Sequence, residues 1–268
     1  MEVAERPNWG FCDLCIDRGF DFKTLSSIKK LNYNTIAINT YVPEAEDEPK
    51  KKKKKAEQTK EKKDYIPAPP EIPADLQRNS KLNILQRVTI EFSESAIAHK
   101  IHQSENIKKY DIIAVLPRTS QAFQYICTTL DVDIITFDPQ SRLPFRMSRK
   151  LYGQAVERGI FFELMYSPAI RDSTSRKNII TTAHTYHAVG RSKNIIVSSG
   201  AANFLQVRDV HDVINLGFIL GLKSNESVQV IRNNTWKLIL KAQSRRCGKY
   251  YVEVTQMELD ENKTSDLQ

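Results

Sequence analysis

Residues 159–177 read GIFFELMYSPAIRDSTSRK, and this stretch decides the fold. Ile160, Phe161, Phe162 and Leu164 surround a single acid, Glu163, in a run with the length and composition of a buried strand. Pro168 forbids a continued ladder. Arg171-Asp172-Ser173-Thr174-Ser175-Arg176-Lys177 then opens a helix with hydroxyls and cations, Ser173 and Thr174 being the expected caps. A buried strand that delivers cations and free helical N–H groups to one rim makes a place for an anion.

The same alternation repeats on both sides. Further strands are predicted at 10–15, 35–39, 82–92, 111–116, 132–137 and 194–198. Between them Leu25, Ile28 and Leu31 mark one helical face, and helices are predicted over 94–105, about 122–130, 151–158 and about 172–189. Gly159 and Gly190 stand where the last two end, as residues tolerant of positive φ. Residues 207–222, 224–232 and 235–243 read as helices. Apolar strands alternating with amphipathic helices imply a parallel sheet covered by helices. Seven strands that each return through a helix point to the α/β class and a TIM-type (β/α) barrel. A doubly wound open sheet is the competing topology, but the dinucleotide loop G-x-G-x-x-G is absent. No eighth strand is evident: 212–216 reads as strand or helix, and KYYVEVT (249–255) is a late strand without a clear location.

Residues 43–80 depart from this pattern. They hold six of the eleven prolines, the run Lys50–Lys55, ten Lys/Arg and nine Asp/Glu. So little apolar surface cannot offset chain entropy, so a disordered Lys/Pro-rich insertion after the second strand is expected. Residues 258–268 read as a disordered acidic tail, leaving one barrel domain over 1–257. Lys50–Lys55 fits either a nuclear localisation patch or a solvated lysine run.

The net charge of +8 is unevenly spread. Outside 43–80 and the tail, 29 basic residues face 19 acidic ones, and 141–177 alone holds eight against three. That balance favours a polyanionic partner. Four scattered cysteines, 12, 15, 127 and 247, make no disulfide framework and fit a reducing compartment. The N-terminus lacks an apolar core of the kind a secretory signal needs, and no run approaches the ~18 residues of a membrane span, so no membrane partner is expected.

A barrel places its chemistry at the C-terminal ends of its strands. The residues there are Asp13, Asn39, Glu91, Pro117, Asp138, Glu163 and Ser198, with no histidine among them. His99, His102, His184, His187 and His211 all fall in predicted helices, so the imidazoles a metallohydrolase needs do not converge. Cys12-x-x-Cys15 has no second pair, and residues three apart on a strand point to opposite faces, so both read as small buried residues. No metal or catalytic residue is assigned. The rival reading is a divergent metal-dependent phosphoesterase rebuilt on Asp13, Glu163 and Asp138.

Across most of its length the chain resembles one family. TIAINT (35–40), ILQRVTIEFSE (84–94), YDIIAVLPRT (110–119), CTTLDVDIITF (127–137), RLPF (142–145), AVERGIFFELMYSPAIRDSTSRK (155–177), NIIVSSGA (194–201), DVINLGFILGL (212–222) and NNTWKLIL (233–240) resemble the thirty-kilodalton protein subunit of ribonuclease P, shared with ribonuclease MRP in eukaryotes. The resemblance implies an α/β barrel related to polymerase-and-histidinol-phosphatase metalloenzymes but without their metal centre. It implies partnership with a catalytic RNA and a small ferredoxin-like protein subunit, in a nuclear and nucleolar particle that removes the 5′ leader of precursor tRNA. The related particle processes precursor rRNA. The protein then needs no cofactor, and magnesium is expected on the RNA.

Phosphate neutralisation by Lys and Arg supplies affinity largely independent of sequence. The candidates are Arg87, Arg118, Arg142, Arg146, Arg171, Arg176 and Lys177, all but Arg146 lying in or beside the motifs above. No aromatic stacking platform is visible, so shape and phosphate recognition is expected rather than base readout.

Overall fold

The computed structural model describes residues 10–44, 64–73 and 82–248. Strand β1 is Phe11–Asp17 and β2 is Tyr33–Val42, joined by helix α1 (Phe22–Leu25) and a 3-10 turn. Strand β3 (Asn83–Phe92), α2 (Ser95–Gln103), β4 (Ile112–Pro117), α3 (Ser120–Thr128) and β5 (Ile134–Ile135) follow. Then come α4 (Arg149–Glu157), β6 (Phe161–Met165), α5 (Ser167–Arg171), α6 (Ser173–Gly190) and β7 (Ile195–Ser198). Helices α7 (Val210–Ile219), α8 (Ser224–Gln229) and α9 (Asn233–Cys247) complete the order, so 212–216 is helical.

All seven strands pair in parallel, in sequence order, as expected of a (β/α) barrel. Among the described residues there is no eighth strand, and two pieces of loop bridge β1 and β7. At the upper end Gly200 N–H donates to Cys15 O at 2.8 Å and Asp17 N–H to Ala201 O at 2.9 Å. Lower down Cys12 N–H donates to Ile231 O at 3.0 Å and Val197 N–H to Val230 O at 3.4 Å. The predicted helix 224–232 therefore stops at Gln229, because Val230 and Ile231 serve the β1–β7 seam.

Two cores result. Inside the barrel Cys12, Leu14, Ala37, Ile112, Ala114, Ile134, Phe161 and Ile196 pack on Leu238, Ile239 and Ala242 of α9, which plugs the N-terminal end. Arg245 of α9 pairs with Asp133 at 2.9 Å and Arg246 pairs with Asp111, fixing the plug to the starts of β5 and β4. The larger core lies between the strands and the outer helices.

Residues 64–73 correct the expectation of a continuous structureless insertion. Ile66 is fully buried, and Asp64 Oδ2 accepts from Glu105 and Asn106 N–H, each at 3.0 Å. Asn106 Nδ2 donates to Ile66 O, Tyr110 OH to Pro67 O and Gln86 Nε2 to Pro70 O. One well-placed isoleucine and an Asx turn suffice to dock this strap. The Lys50–Lys55 run, residues 249–255 and the acidic tail lie outside the described residues.

Two termini differ from the sequence reading. The cap of α6 is Asp172, whose carboxylate accepts from Ser175 N–H at 2.7 Å, rather than Ser173 or Thr174. The left-handed residue after α6 is Arg191 (φ 52°), while Gly190 is still helical. Gly190 is needed for space: a Cβ there would lie 2.0 Å from the Tyr152 ring. That ring is stacked on Phe162 at 3.9 Å and its hydroxyl donates to Lys193 O at 2.7 Å. Gly190→Ala should therefore cost about 1–3 kcal/mol through overpacking, read as a lowered thermal midpoint. An unchanged midpoint would mean that the ring gives way freely.

Candidate functional site

The barrel interior carries an ion pair built from β3 and β6. Arg87 donates from Nη1 to Glu163 Oε1 at 2.5 Å and from Nη2 to Oε2 at 2.7 Å. Its Nη1 also reaches Leu14 O at 2.8 Å, and Nε reaches Thr89 Oγ1 at 3.3 Å. Ser198 of β7 donates to Glu163 Oε1 at 2.6 Å. Burial alone would raise the Glu163 pKa, but the Arg87 charge and these hydrogen bonds outweigh it and hold the carboxyl below its usual range.

This arrangement overturns one predicted site residue. Arg87 is fully buried, so it does not present its charge to an RNA backbone. A parallel strand covered on both faces offers a mid-strand side chain no route to solvent. The signal was present in the sequence. Glu163 is the lone charge in the apolar run FFELM, and a buried charge requires a partner.

Asp13, buried on β1, staples the seam. Its Oδ1 accepts from Ser199 N–H at 2.9 Å and from Cys15 N–H at 3.3 Å, while Oδ2 has no partner among the described residues. Burial pushes its pKa up to about 6, against those hydrogen bonds, with the Glu163 charge adding to the rise. The folded state thus holds its proton more tightly than the unfolded chain, whose carboxyl titrates near ~3.9. The ionised form costs stability above pH ~6, and that cost is relieved as pH falls from there toward ~4. Asp13→Asn, which keeps an acceptor and removes the charge, should match or exceed the wild-type melting temperature at pH 7.5. The advantage should shrink by pH 5, and Asp13→Ala should melt lower at both. An Asn variant several degrees less stable at pH 7.5 would show that the ionised carboxylate is favourable.

The rival catalytic set does not assemble. Both Glu163 oxygens face Arg87, Asp13 is turned to the seam, and Asp138 Oδ1 accepts from Gln140 N–H at 2.9 Å. A bound divalent ion needs several convergent ligands. Among the described residues no three His, Cys, Asp or Glu side chains are so placed, and the five histidines are exposed on outer helices. The residues at this mouth therefore do not fit a metal centre. Cys12 and Cys15 are both buried, and burial raises both thiols, Cys12 to about 11.

The remaining predicted cations gather on one face. Arg118 follows β4, Arg142 and Arg146 lie in the β5–α4 connection, and Arg171, Arg176 and Lys177 follow β6, all at the C-terminal end of the barrel. Arg118 is paired with Glu91, and its side chain is 39% exposed. Arg176 Nε donates to Ala169 O at 2.8 Å. Arg142, Arg146, Arg171, Arg176 and Lys177 are exposed and form no salt bridge within the described residues. At the plugged end, by contrast, Arg245 and Arg246 are both neutralised by acids.

Fold and site together define a TIM-type barrel with a fixed internal ion pair at its mouth and a rim of free cations above it. The family model for ribonuclease P subunit p30 matches residues 10–247, and the chain belongs to that family. It is 33% identical over 248 residues to the mouse ribonuclease P protein subunit p30, spanning 88% of this chain and 87% of the relative. It is 28% identical over 210 residues to the budding-yeast ribonuclease P/MRP protein subunit RPP1, spanning 76% of this chain and 66% of that protein. In fold it is similar to a chain in the cryo-EM structure of archaeal ribonuclease P with mature tRNA. There the TM-score is 0.62 at 16% identity, over 92% of this chain and 100% of the other.

Proposed function

We propose that this chain is an RNA-binding, non-catalytic subunit of the ribonuclease P particle, which removes the 5′ leader of precursor tRNA. The observation that carries the reading is the group of five cations, unpaired among the described residues, on one rim of a barrel whose floor carries the buried Arg87–Glu163 pair. Such a rim neutralises phosphates and holds an RNA in shape. The hydrolytic chemistry then belongs to magnesium carried by the RNA, with no cofactor on the protein. The combined name of the yeast relative supports a shared place in ribonuclease MRP and precursor rRNA processing.

The partners in this reading are the ribonuclease P/MRP RNA, a small ferredoxin-like protein subunit and other subunits, with precursor tRNA contacted indirectly. Phe218 and Ile219 on α7, 57% and 59% exposed, support a protein neighbour, since adjacent large apolar side chains are often covered in an assembly. The Lys50–Lys55 run supports a nuclear, nucleolar location.

The test titrates the full chain against ribonuclease P RNA over a range of salt. Five phosphate contacts give a log–log slope of about −3.5 to −4.5, from ~0.7 per contact on single strands to ~0.9 on duplex. Absent or salt-independent association would remove the RNA reading. Phosphodiester turnover by the purified protein, lost in Asp13→Ala, would favour the phosphoesterase instead.

A further inference from the structure

We infer that the mouth of the barrel receives one unpaired keto nucleobase, uracil or guanine, from the RNA held on the cationic rim. The inference rests on that RNA reading and adds a base-specific contact to it. A cavity of about 380 Å³ opens at the C-terminal end, large enough for a base and its ribose. Strand register sets Asp17, Asn39 and Arg87 side by side across β1, β2 and β3, and all three line the cavity.

Arg87 is fully buried and spent on Glu163, Leu14 O and Thr89, so it only floors the cavity. The hydrogen-bonding capacity of the other two is not exhausted. Asn39 Oδ1 accepts from Thr89 at 2.6 Å, leaving the Nδ2 hydrogens without a partner among the described residues. Asp17 and Asp138 each use one oxygen on a neighbouring N–H, of Gly19 at 2.7 Å and of Gln140 at 2.9 Å, and keep the other. Leu116, Pro139, Met165 and Pro168 supply flat apolar walls.

Charge selects the class of occupant. The two guanidinium groups of the lining, Arg87 and Arg118, are already matched by Glu163 and Glu91. Asp17 and Asp138 form no ion pair within the described residues, so the cavity is net negative and repels phosphate. A neutral ring fits if its carbonyl accepts from Asn39 Nδ2 while its ring N–H donates to a carboxylate. Uracil and guanine have that pattern. Cytosine and adenine lack the ring N–H and leave a buried donor or acceptor unmatched.

The test compares oligouridylate with oligocytidylate on the full chain at several salt concentrations. Oligouridylate should bind about tenfold more tightly, the scale of one good base contact. The ratio should be constant with salt, because a base contact releases no counterion. Asn39→Asp keeps an acceptor for Thr89 and removes the donors. It should bring the ratio to about one and leave the salt slope unchanged. Free uridine and cytidine, followed by saturation-transfer NMR, test the mouth without any phosphate, and uridine alone should respond. Equal affinities with an intact salt slope overturn this inference and leave the RNA reading standing. Absent salt-dependent binding overturns the RNA reading, and the free nucleosides then decide the mouth. A preference that survives in Asn39→Asp, or competition between inorganic phosphate and uridine, also overturns the inference.

Discussion

Arg87→Met is expected to be the most destabilising single substitution in this barrel. It leaves Glu163 buried without its counter-charge, and breaking one side of a buried pair costs about 3–5 kcal/mol. For a domain of this size that is a fall of about 6–20 °C in melting temperature. An exposed pair would contribute at most about 1 kcal/mol, so the size of the effect itself reports burial. The double substitution Arg87→Met with Glu163→Leu removes both charges at similar volume. It should recover most of the loss, since apolar replacements of buried pairs are often neutral or better. A pH signature separates lost charge from lost packing. In wild type the depressed Glu163 carboxyl contributes stability at neutral pH that is lost only as pH falls through its lowered value. In Arg87→Met burial alone acts on Glu163, its pKa rises, and the deficit should narrow on acidification toward pH 5. A deficit that is small, or unchanged with pH, would show that the pair is not the keystone of the interior.

The ion pair also accounts for the poor fit of this mouth to a metal centre. Its internal cation is a guanidinium fixed by β3, held by two strands and by Leu14 O. A charge covalently tied to the fold cannot be exchanged for a metal ion.

Much of this was legible in the residues, for identifiable reasons. The seven strands were visible because each is a short apolar run buried on both sides, and such runs need little tertiary context. The closure between β1 and β7 was not, because Val230 and Ile231 make it through backbone carbonyls, which no side-chain pattern records. The strap at 64–73 was hidden by its prolines and charged neighbours, since its core contact comes down to Ile66 and Tyr65. Arg87 was misplaced because a cation beside a polar glutamine, Gln86, resembles a solvated position until strand register turns it inward. The rim cations were legible as a group because they follow strand ends, where the (β/α) topology puts every loop on one face. Asn39 and Asp17 were not legible as a pair, because their adjacency depends on the β1–β2 register.

That one-sidedness makes the second large effect predictable. Replacing Arg142, Arg146, Arg171, Arg176 and Lys177 together with Ala should weaken binding to ribonuclease P RNA by about 10³-fold at 0.15 M salt. The log–log salt slope should flatten by about 3.5–4.5, at ~0.7–0.9 per phosphate contact. Stability should change little, because among the described residues none of the five is in an ion pair and Arg176 alone donates to a carbonyl. Unaltered thermal midpoints would confirm that the loss is one of contact rather than of fold. Lys108 and Lys109 supply the control: both are exposed, and both precede β4 at the plugged end. Their double replacement removes positive charge from the same molecule without touching the rim, so it should leave the slope within about one unit of wild type. Equal flattening in both variants would mean that net charge, not this face, attracts the RNA. An unchanged slope in the quintuple variant would place the RNA elsewhere on the barrel and withdraw the rim from the interface.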